Sequence, residues 1–403
     1  MSTTESEVIE ECDENEAVLD PSFKINSWDE LEINSKLLRG IYSYGFEKPS
    51  PIQQQAIKPL IMGKDIVIQA QSGTGKTATF TIGALANIDI LDNNTQVLVL
   101  SPTKELTIQT AKVFENLGSM MDGLRVQTLY GGSIIEEGSS FSNKKIPHVI
   151  CGCPGRVFDM MRRSRISCKK IKLVILDEAD EMLSAGFKDQ VYNIFQFFNS
   201  NIQVALVSAT LPDSINVIIE KIMRNPVRVS VKREMLTLEG ISQYYIAVDD
   251  DRQKYATLKD LYSLITISSS IIYCNSVKRV QDLYDAMKDD DFSVCRIHSG
   301  MDKDERAKAF DDFKTGHTRV LISSNVTARG IDIQQVSIVI NFDIPKCVST
   351  YLHRIGRSGR WGRKGVGINL ITRRDVAKLK EIEQYYSTQI SEMPGNLNFL
   401  IGK

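Results

Sequence analysis

"VIQAQSGTGKTATF", Val67 to Phe80, decides how this chain is built. Ile66, Val67 and Ile68 form a short apolar run that reads as a buried strand. The chain then turns small and polar through Ser72, Gly73, Thr74 and Gly75, and Lys76 and Thr77 open a helix-forming stretch. Glycines let backbone N–H groups close around phosphate oxygens, and the following helix adds its positive end. In such a loop the lysine reaches the β- and γ-phosphates, and the next hydroxyl ligates Mg²⁺. A plain glycine turn before a helix would need neither. Ser72, Gly73, Thr74, Gly75, Lys76 and Thr77 are therefore expected to hold a nucleotide, with Thr77 on the metal. Ala70 stands where these loops usually open with glycine.

Working outward, short apolar runs recur between helix-like stretches. "DIVIQA", "QVLVLSP", "HVICGCP", "LVILDEAD" and "QVALVSAT" come first, then "SIIYCNS", "FSVCRIHS", "RVLISSN", "VSIVINFD" and "VGINLI". Buried strands alternating with helices predict α/β architecture with parallel sheets, here two tandem domains of about five strands each. "VKREMLTLEGISQYY" is the linker candidate. The expected boundaries are an acidic disordered tail over 1–24, a first domain over 25–232, a linker over 233–242 and a second domain over 243–403. Met1 to Asp20 carries eight acids and no Lys or Arg, which favours disorder. Nearly every unusual polar signature begins where an apolar run ends. Ligands of open α/β sheets bind at the carboxyl ends of strands, so the signatures should converge on a cleft between two domains.

Composition narrows the classes. Of 403 residues, 42% are hydrophobic and 25% charged, as in a soluble globular protein. The net charge of −1 gives no global basic field, so nucleic acid would need a local patch. No apolar run is long enough to span a membrane, and the N-terminus lacks a basic start and apolar core, so no secretory signal is expected. Seven scattered cysteines without C-x₂-C pairing favour a reduced, cytoplasmic or nuclear chain over a disulfide or zinc protein.

"LVILDEAD" supplies the chemistry that a phosphate loop lacks alone. An acid after an apolar strand is the second half of a nucleotide-hydrolysing site. Asp177 is expected to hold Mg²⁺, and Glu178 to orient or activate the attacking water. An acidic helix start is the bland alternative. The phosphate loop upstream favours catalysis.

The phosphate loop, Asp177-Glu178-Ala179-Asp180 and Ser208-Ala209-Thr210, in this order, resemble the DEAD-box RNA helicases. "GFEKPSPIQ" resembles the family's adenine-reading Q motif. "PTKEL", Gly131-Gly132 and "CPGR" resemble its RNA-contact motifs, and "ARGID" and "HRIGRSGR" those of its second domain. The resemblance covers about residues 25 to 400 and looks most like the initiation factor 4A group, with its exon junction complex relative.

The resemblance implies two RecA-like domains and an RNA-dependent ATPase that separates short duplexes. Gln53 would read adenine, Phe46 would stack on it, and Lys48 would lie nearby; Phe46 could equally be a core aromatic. Asp332 would contact the ribose, and Arg357 and Arg360 would act as arginine fingers from the other domain. The bland reading of that arginine-rich stretch is a solvated basic segment on phosphate backbone. Asp180, Ser208, Thr210 and His353 would couple the nucleotide to RNA. RNA would be gripped by Thr103, Lys104, Gly132, Gly155 and Arg156 on the first domain, and by Asn275, Gly300, Ser324 and Arg329 on the second. Backbone and 2′-hydroxyl contacts of this kind read shape rather than sequence. The implied cofactors are ATP and Mg²⁺. The implied partners are RNA and helical-repeat scaffold proteins around a monomer, and no membrane.

Departures from the family concentrate on the RNA side. Lys104 replaces Arg and loses its planar fork. Cys153 replaces Thr and donates weakly. Asn325 replaces Asp and loses a charge. An intact ATPase with weakened RNA coupling is the expectation, with an RNA clamp held by partners as the alternative. A phosphate-loop kinase or switch GTPase would not need the second domain's arginines.

Overall fold

The protein is described by a computed structural model over residues 21–70, 73–132, 146–184, 187–199, 201–211, 213–230, 241–264, 269–325, 336–358, 365–386 and 388–394. Residues 1–20 of the expected acidic tail, Ser72, most of the expected linker, Arg329, Asp332 and Arg360 lie outside these residues, while Pro21–Phe23, expected within the tail, form a short 3-10 helix.

Two parallel sheets organise the chain. The first contains β1 (Ile66–Gln69), β2 (Val97–Leu100), β3 (Val126–Leu129), β4 (Val149–Gly152), β5 (Leu173–Asp177), β6 (Gln203–Ser208) and β7 (Val227–Ser230), in the spatial order β3-β4-β2-β5-β6-β1-β7. The second contains β8 (Ile241–Ala247), β9 (Ser270–Tyr273), β10 (Val294–Ile297), β11 (Val320–Ser323), β12 (Ile338–Asn341), β13 (Gly365–Ile371) and β14 (Ser391–Glu392), ordered β10-β11-β9-β12-β13-β8-β14. Each sheet therefore has seven strands rather than about five. β8 begins at Ile241, inside the segment expected to link the domains.

Both faces of each sheet are covered, which is why the central strands read as continuous apolar runs. Ile66 and Ile68 join one core while Val67 joins the opposite one. Val97 and Val99 alternate likewise with Leu98 and Leu100. In the second sheet, Ile271 and Tyr273 face one core, and Ile272 and Cys274 the other.

Helix starts sit directly after strand ends, fixed by short polar caps. The Thr103 hydroxyl accepts from the Leu106 amide at 3.3 Å and starts the helix Lys104–Leu117. Ser276 caps Val277–Asp289 in the same way. Such caps satisfy otherwise unpaired N–H groups, and each is worth about 1 kcal/mol. They also pin the signature residues to the carboxyl edge of each sheet.

Candidate functional site

The strand order divides the first sheet's edge into two halves. β5, β6 and β1 are neighbours, and from their ends emerge the acidic loop, Ser208-Ala209-Thr210 and the phosphate loop. β3, β4 and β2 are neighbours, and from their ends emerge Gly131-Gly132, "CPGR" and "PTKEL". The second sheet repeats the division. Gly300, Ser324 and Asn275 follow β10, β11 and β9, while the helix Val348–Ile355 follows β12.

On the nucleotide half, Gly73 and Gly75 take left-handed backbone angles, with φ of 85° and 98°. Gly75 is tight as well: a Cβ there would lie 2.7 Å from Gln53 Nε2. Lys76 opens the helix Lys76–Ala86 and is buried, donating from Nζ to the Ala70 carbonyl at 2.6 Å. The other two ammonium hydrogens suit phosphate oxygens. Gln53 and Ser50 tie the expected adenine-reading segment to this loop. The Ser50 amide donates to Gln53 Oε1 at 2.7 Å, and the Ser50 hydroxyl donates to the Thr74 carbonyl at 2.9 Å. Gln53 Nε2 lies 3.5 Å from the Gly75 carbonyl. The amide of Gln53 thus senses the loop's backbone as well as offering a polar edge. Phe46 is half-buried, stacked on Trp28 at 6.3 Å and edge-on to Tyr44 at 4.9 Å. These contacts place it at the margin of the first core, as the core-aromatic reading expects. Lys48 is exposed, and Thr77 is half-buried in the first helical turn.

Asp177 ends β5 in the buried interior. Burial pushes its carboxyl up to about 7, and Glu178 adds to the rise while Lys76 opposes it. Glu178 adopts φ of 52°, a left-handed angle disfavoured for a side chain with Cβ. Asp177 Oδ2 and Glu178 Oε2 are both buried without a hydrogen-bond partner among the described residues. Unpaired buried carboxylate oxygens are costly, and a hard divalent cation is the ligand that satisfies them. The donor set therefore fits Mg²⁺.

Asp180 joins the halves of the molecule. Its Oδ2 accepts from Thr210 Oγ1 at 2.8 Å and lies 3.0 Å from Nε2 of His353, in the second domain. Its amide donates to Ser208 Oγ at 3.3 Å, and that hydroxyl donates to the Thr210 carbonyl at 2.7 Å. Glu178, Asp180 and His353 place ligand-type atoms within 4.8 Å of one another, but Asp180 and His353 already bond to each other. Arg357 is buried one turn beyond His353, and its Nε donates to the His353 carbonyl at 3.3 Å.

On the half expected to meet RNA, Thr103 and Lys104 open their helix, Gly132 is exposed with φ of 80°, and a Cβ on Gly155 would lie 3.3 Å from Gln190 Oε1. Arg156 is partly exposed and lies 3.4 Å from Asp159. Cys153 opens the helix Pro154–Arg162 without a side-chain cap, its sulfur 3.5 Å from the Thr107 hydroxyl. Burial raises its thiol, so it stays protonated. In the second domain the Ser324 hydroxyl is buried with no partner among the described residues. Asn275 is more committed. Its Nδ2 donates to the Ile344 carbonyl at 2.7 Å, and its Oδ1 accepts from Arg354 at 2.8 Å.

Two features were absent from the expectations. Arg306 Nη2 donates to Glu105 Oε2 at 2.6 Å, a half-buried ion pair between the domains beside Lys104. Asn325 has a partner that the expectation did not name. Its Oδ1 accepts from Arg354 Nε at 3.0 Å and Nη2 at 2.6 Å, so its change bears on the helix that carries His353. Neither pair has a local sequence signature.

Residues 50–218 match the DEAD/DEAH box helicase family, and residues 253–362 match the helicase conserved C-terminal domain. Eukaryotic initiation factor 4A of Caenorhabditis elegans is 47% identical over 377 residues, covering 94% of this chain and 93% of that protein. The ATP-dependent RNA helicase eIF4A of Kluyveromyces lactis is 46% identical over 395 residues, covering 98% and 99%. A solved structure of S. cerevisiae Dbp5 bound to RNA and ADP BeF3 superposes with a TM-score of 0.85 at 36% identity, covering 91% of this chain and 95% of that one. Because these likenesses span both sheets and every signature between them, the chain belongs to the DEAD-box family of ATP-dependent RNA helicases.

Proposed function

We propose that the chain hydrolyses ATP only when its two domains close on one RNA strand, and that closure opens a short duplex locally. The observation that carries this reading is the buried Asp180–His353 contact. One end belongs to the short helix Ala179–Ser184 after β5. The other belongs to the helix that leads to Arg357. Bringing them together assembles hydrolytic and charge-stabilising groups from opposite sides of a cleft.

Within that site Lys76 binds the β- and γ-phosphates, and Glu178 orients the attacking water and takes up its proton. Arg357 and Arg360 stabilise negative charge on the transferring phosphoryl group. Mg²⁺, held by Thr77 and Asp177, would neutralise charge on the phosphate oxygens. Gln53, Phe46 and Lys48 surround the adenine, and Asp332 holds the ribose. RNA lies along the ends of β3, β4 and β2 and of β10, β11 and β9. There it meets Thr103, Lys104, Gly132, Gly155, Arg156, Asn275, Gly300, Ser324 and Arg329 through its backbone, which makes binding independent of sequence.

The relatives' names favour translation initiation. The family resemblance further supports a monomer held by helical-repeat scaffold proteins, in the cytoplasm or nucleus. No described helix is long and apolar enough to cross a membrane. ATP hydrolysis with and without single-stranded RNA, beside Glu178→Gln, tests the reading. RNA should stimulate hydrolysis strongly, and the variant should lose it. Hydrolysis indifferent to RNA would refute the coupling, and none with RNA present would refute the catalytic assignment.

A further inference from the structure

The RNA half of the first domain contains one side-chain pair that the family signatures do not name. Lys104 Nζ lies 5.1 Å from the centroid of the Tyr130 ring. Lys104 follows β2 and Tyr130 follows β3, with β4 between them in the sheet. Neighbouring strands are about 4.8 Å apart, so the pair reaches across the end of β4, about 10 Å in all. Both residues are half-buried, and Gly131 and Gly132 beside them are exposed.

The placement of this lysine has a cost. It is the first residue of a helix, where the dipole disfavours a cation. Among the described residues its ammonium makes no ion pair or hydrogen bond, so the ring face is what attracts it. A flexible four-carbon side chain has many rotamers, and a ring beneath the ammonium selects the ones that overhang the β4 end. The ring attracts the ammonium without an oxygen acceptor, so its three N–H donors suit a phosphate oxygen.

We propose that Tyr130 is a positioning residue for RNA binding: its ring holds the Lys104 ammonium over the edge of the sheet, where it donates to a phosphate oxygen of the bound strand. The proposal rests on Lys104 being an RNA contact. Tyr130 acts through Lys104, supplying by pre-organisation some of what a lysine lacks beside a planar guanidinium.

The test measures binding of the full chain to a fluorescein-labelled oligouridylate in the presence of Mg²⁺ and ADP–beryllium fluoride, across a salt series. Lys104→Met should weaken binding and lower the salt slope by about 0.7, the loss of one single-strand phosphate contact. Tyr130→Leu should weaken binding about two- to five-fold, and Tyr130→Phe should bind as the parent does. The double variant should bind no more weakly than Lys104→Met alone, since the ring acts only through the ammonium. Replacing Tyr130 by progressively fluorinated phenylalanines of nearly constant shape should weaken binding in steps, which guards against a Leu variant that folds poorly. Parent-like binding by Tyr130→Leu, losses that multiply in the double variant, or indifference to ring fluorination would each overturn the proposal while leaving Lys104 as a contact. Parent-like binding and salt slope in Lys104→Met would remove the RNA-contact reading of Lys104 itself, and the proposal with it.

Discussion

Asn325→Asp should stabilise the second domain. Arg354 is fully buried, yet the side-chain oxygens it meets belong to Asn325, Asn341 and Asn275, all neutral. From Asp343 its hydrogen bond is to the backbone carbonyl, at 2.7 Å, and the carboxylate favours the charged form only without direct contact. That residue's carboxylate lies 2.8 Å from Arg279 Nε and 3.7 Å from Lys254. Burial accordingly depresses the Arg354 guanidinium to about 10, which disfavours its charged form. Asn325 is exposed, so a carboxylate there loses little hydration, while its oxygen would lie where the amide oxygen now accepts bonds of 2.6 and 3.0 Å. Hydrogen bonds that become charge-assisted on both sides roughly double in strength, which returns about 1–2 kcal/mol. For a domain of this size the transition should rise by about 2–8 °C in differential scanning calorimetry of the full chain. Because the guanidinium is buried, most of the gain should persist at about 0.5 M salt. An unchanged or lowered transition would mean that the three asparagines already satisfy Arg354, and the reasoning from its missing counter-charge would be wrong.

Two further outcomes follow from contacts at the cleft. Glu105→Arg or Arg306→Glu alone should raise the RNA concentration for half-maximal ATPase stimulation by about 5- to 30-fold, through loss of a half-buried pair worth about 1–2 kcal/mol. The double exchange should recover much of that loss, and equal impairment in all three forms would show that the pair does not favour closure. The Mg²⁺ requirement should depend on pH through Asp177, whose carboxyl is pushed up to about 7 by burial. A protonated carboxyl ligates poorly, so the demand rises as pH falls: half-maximal hydrolysis should need about tenfold more Mg²⁺ at pH 6 than at pH 8. A Mg²⁺ dependence that stays flat over this range would place the metal elsewhere.

β10 was visible in the sequence although it is an edge strand of alternating burial. The other strands that sequence alone made visible are largely buried on both faces: β2, β5 and β6 read as apolar runs for that reason, with polar residues only at strand ends. β3 and β7 were hidden for the opposite reason. They lie at the edges of their sheet, and Gln127, Thr128 and Arg228 interrupt the apolar signal. Signatures confined to one loop were equally visible, because Lys76 next to Thr77 or Asp177 next to Glu178 leaves few other uses for such neighbours. Pairings across the fold were not. Glu105 and Arg306 are 201 residues apart, and Asn325 and Arg354 are 29 apart, so only the strand order brings them together. Asn325 illustrates the consequence: its place in a motif pointed to RNA, and only the fold shows its contact with Arg354 on the helix that carries His353.

The division of each sheet into two halves also accounts for the proposed need of both domains in coupling. In the first sheet β2 and β5 are adjacent, so the RNA and nucleotide halves share a boundary, but β2's partners are backbone groups that a ligand does not rearrange. A signal carried along that boundary would require distortion of fully paired, doubly covered strands, which close packing resists. The loops above the sheet are freer to respond. Asp180 meets His353 above the nucleotide half, and Glu105 meets Arg306 above the RNA half. The same relative position of the second domain makes both contacts. RNA that favours the Glu105–Arg306 approach therefore favours Asp180–His353 as well, and reciprocally a nucleotide that favours the second contact must tighten RNA binding by the same factor.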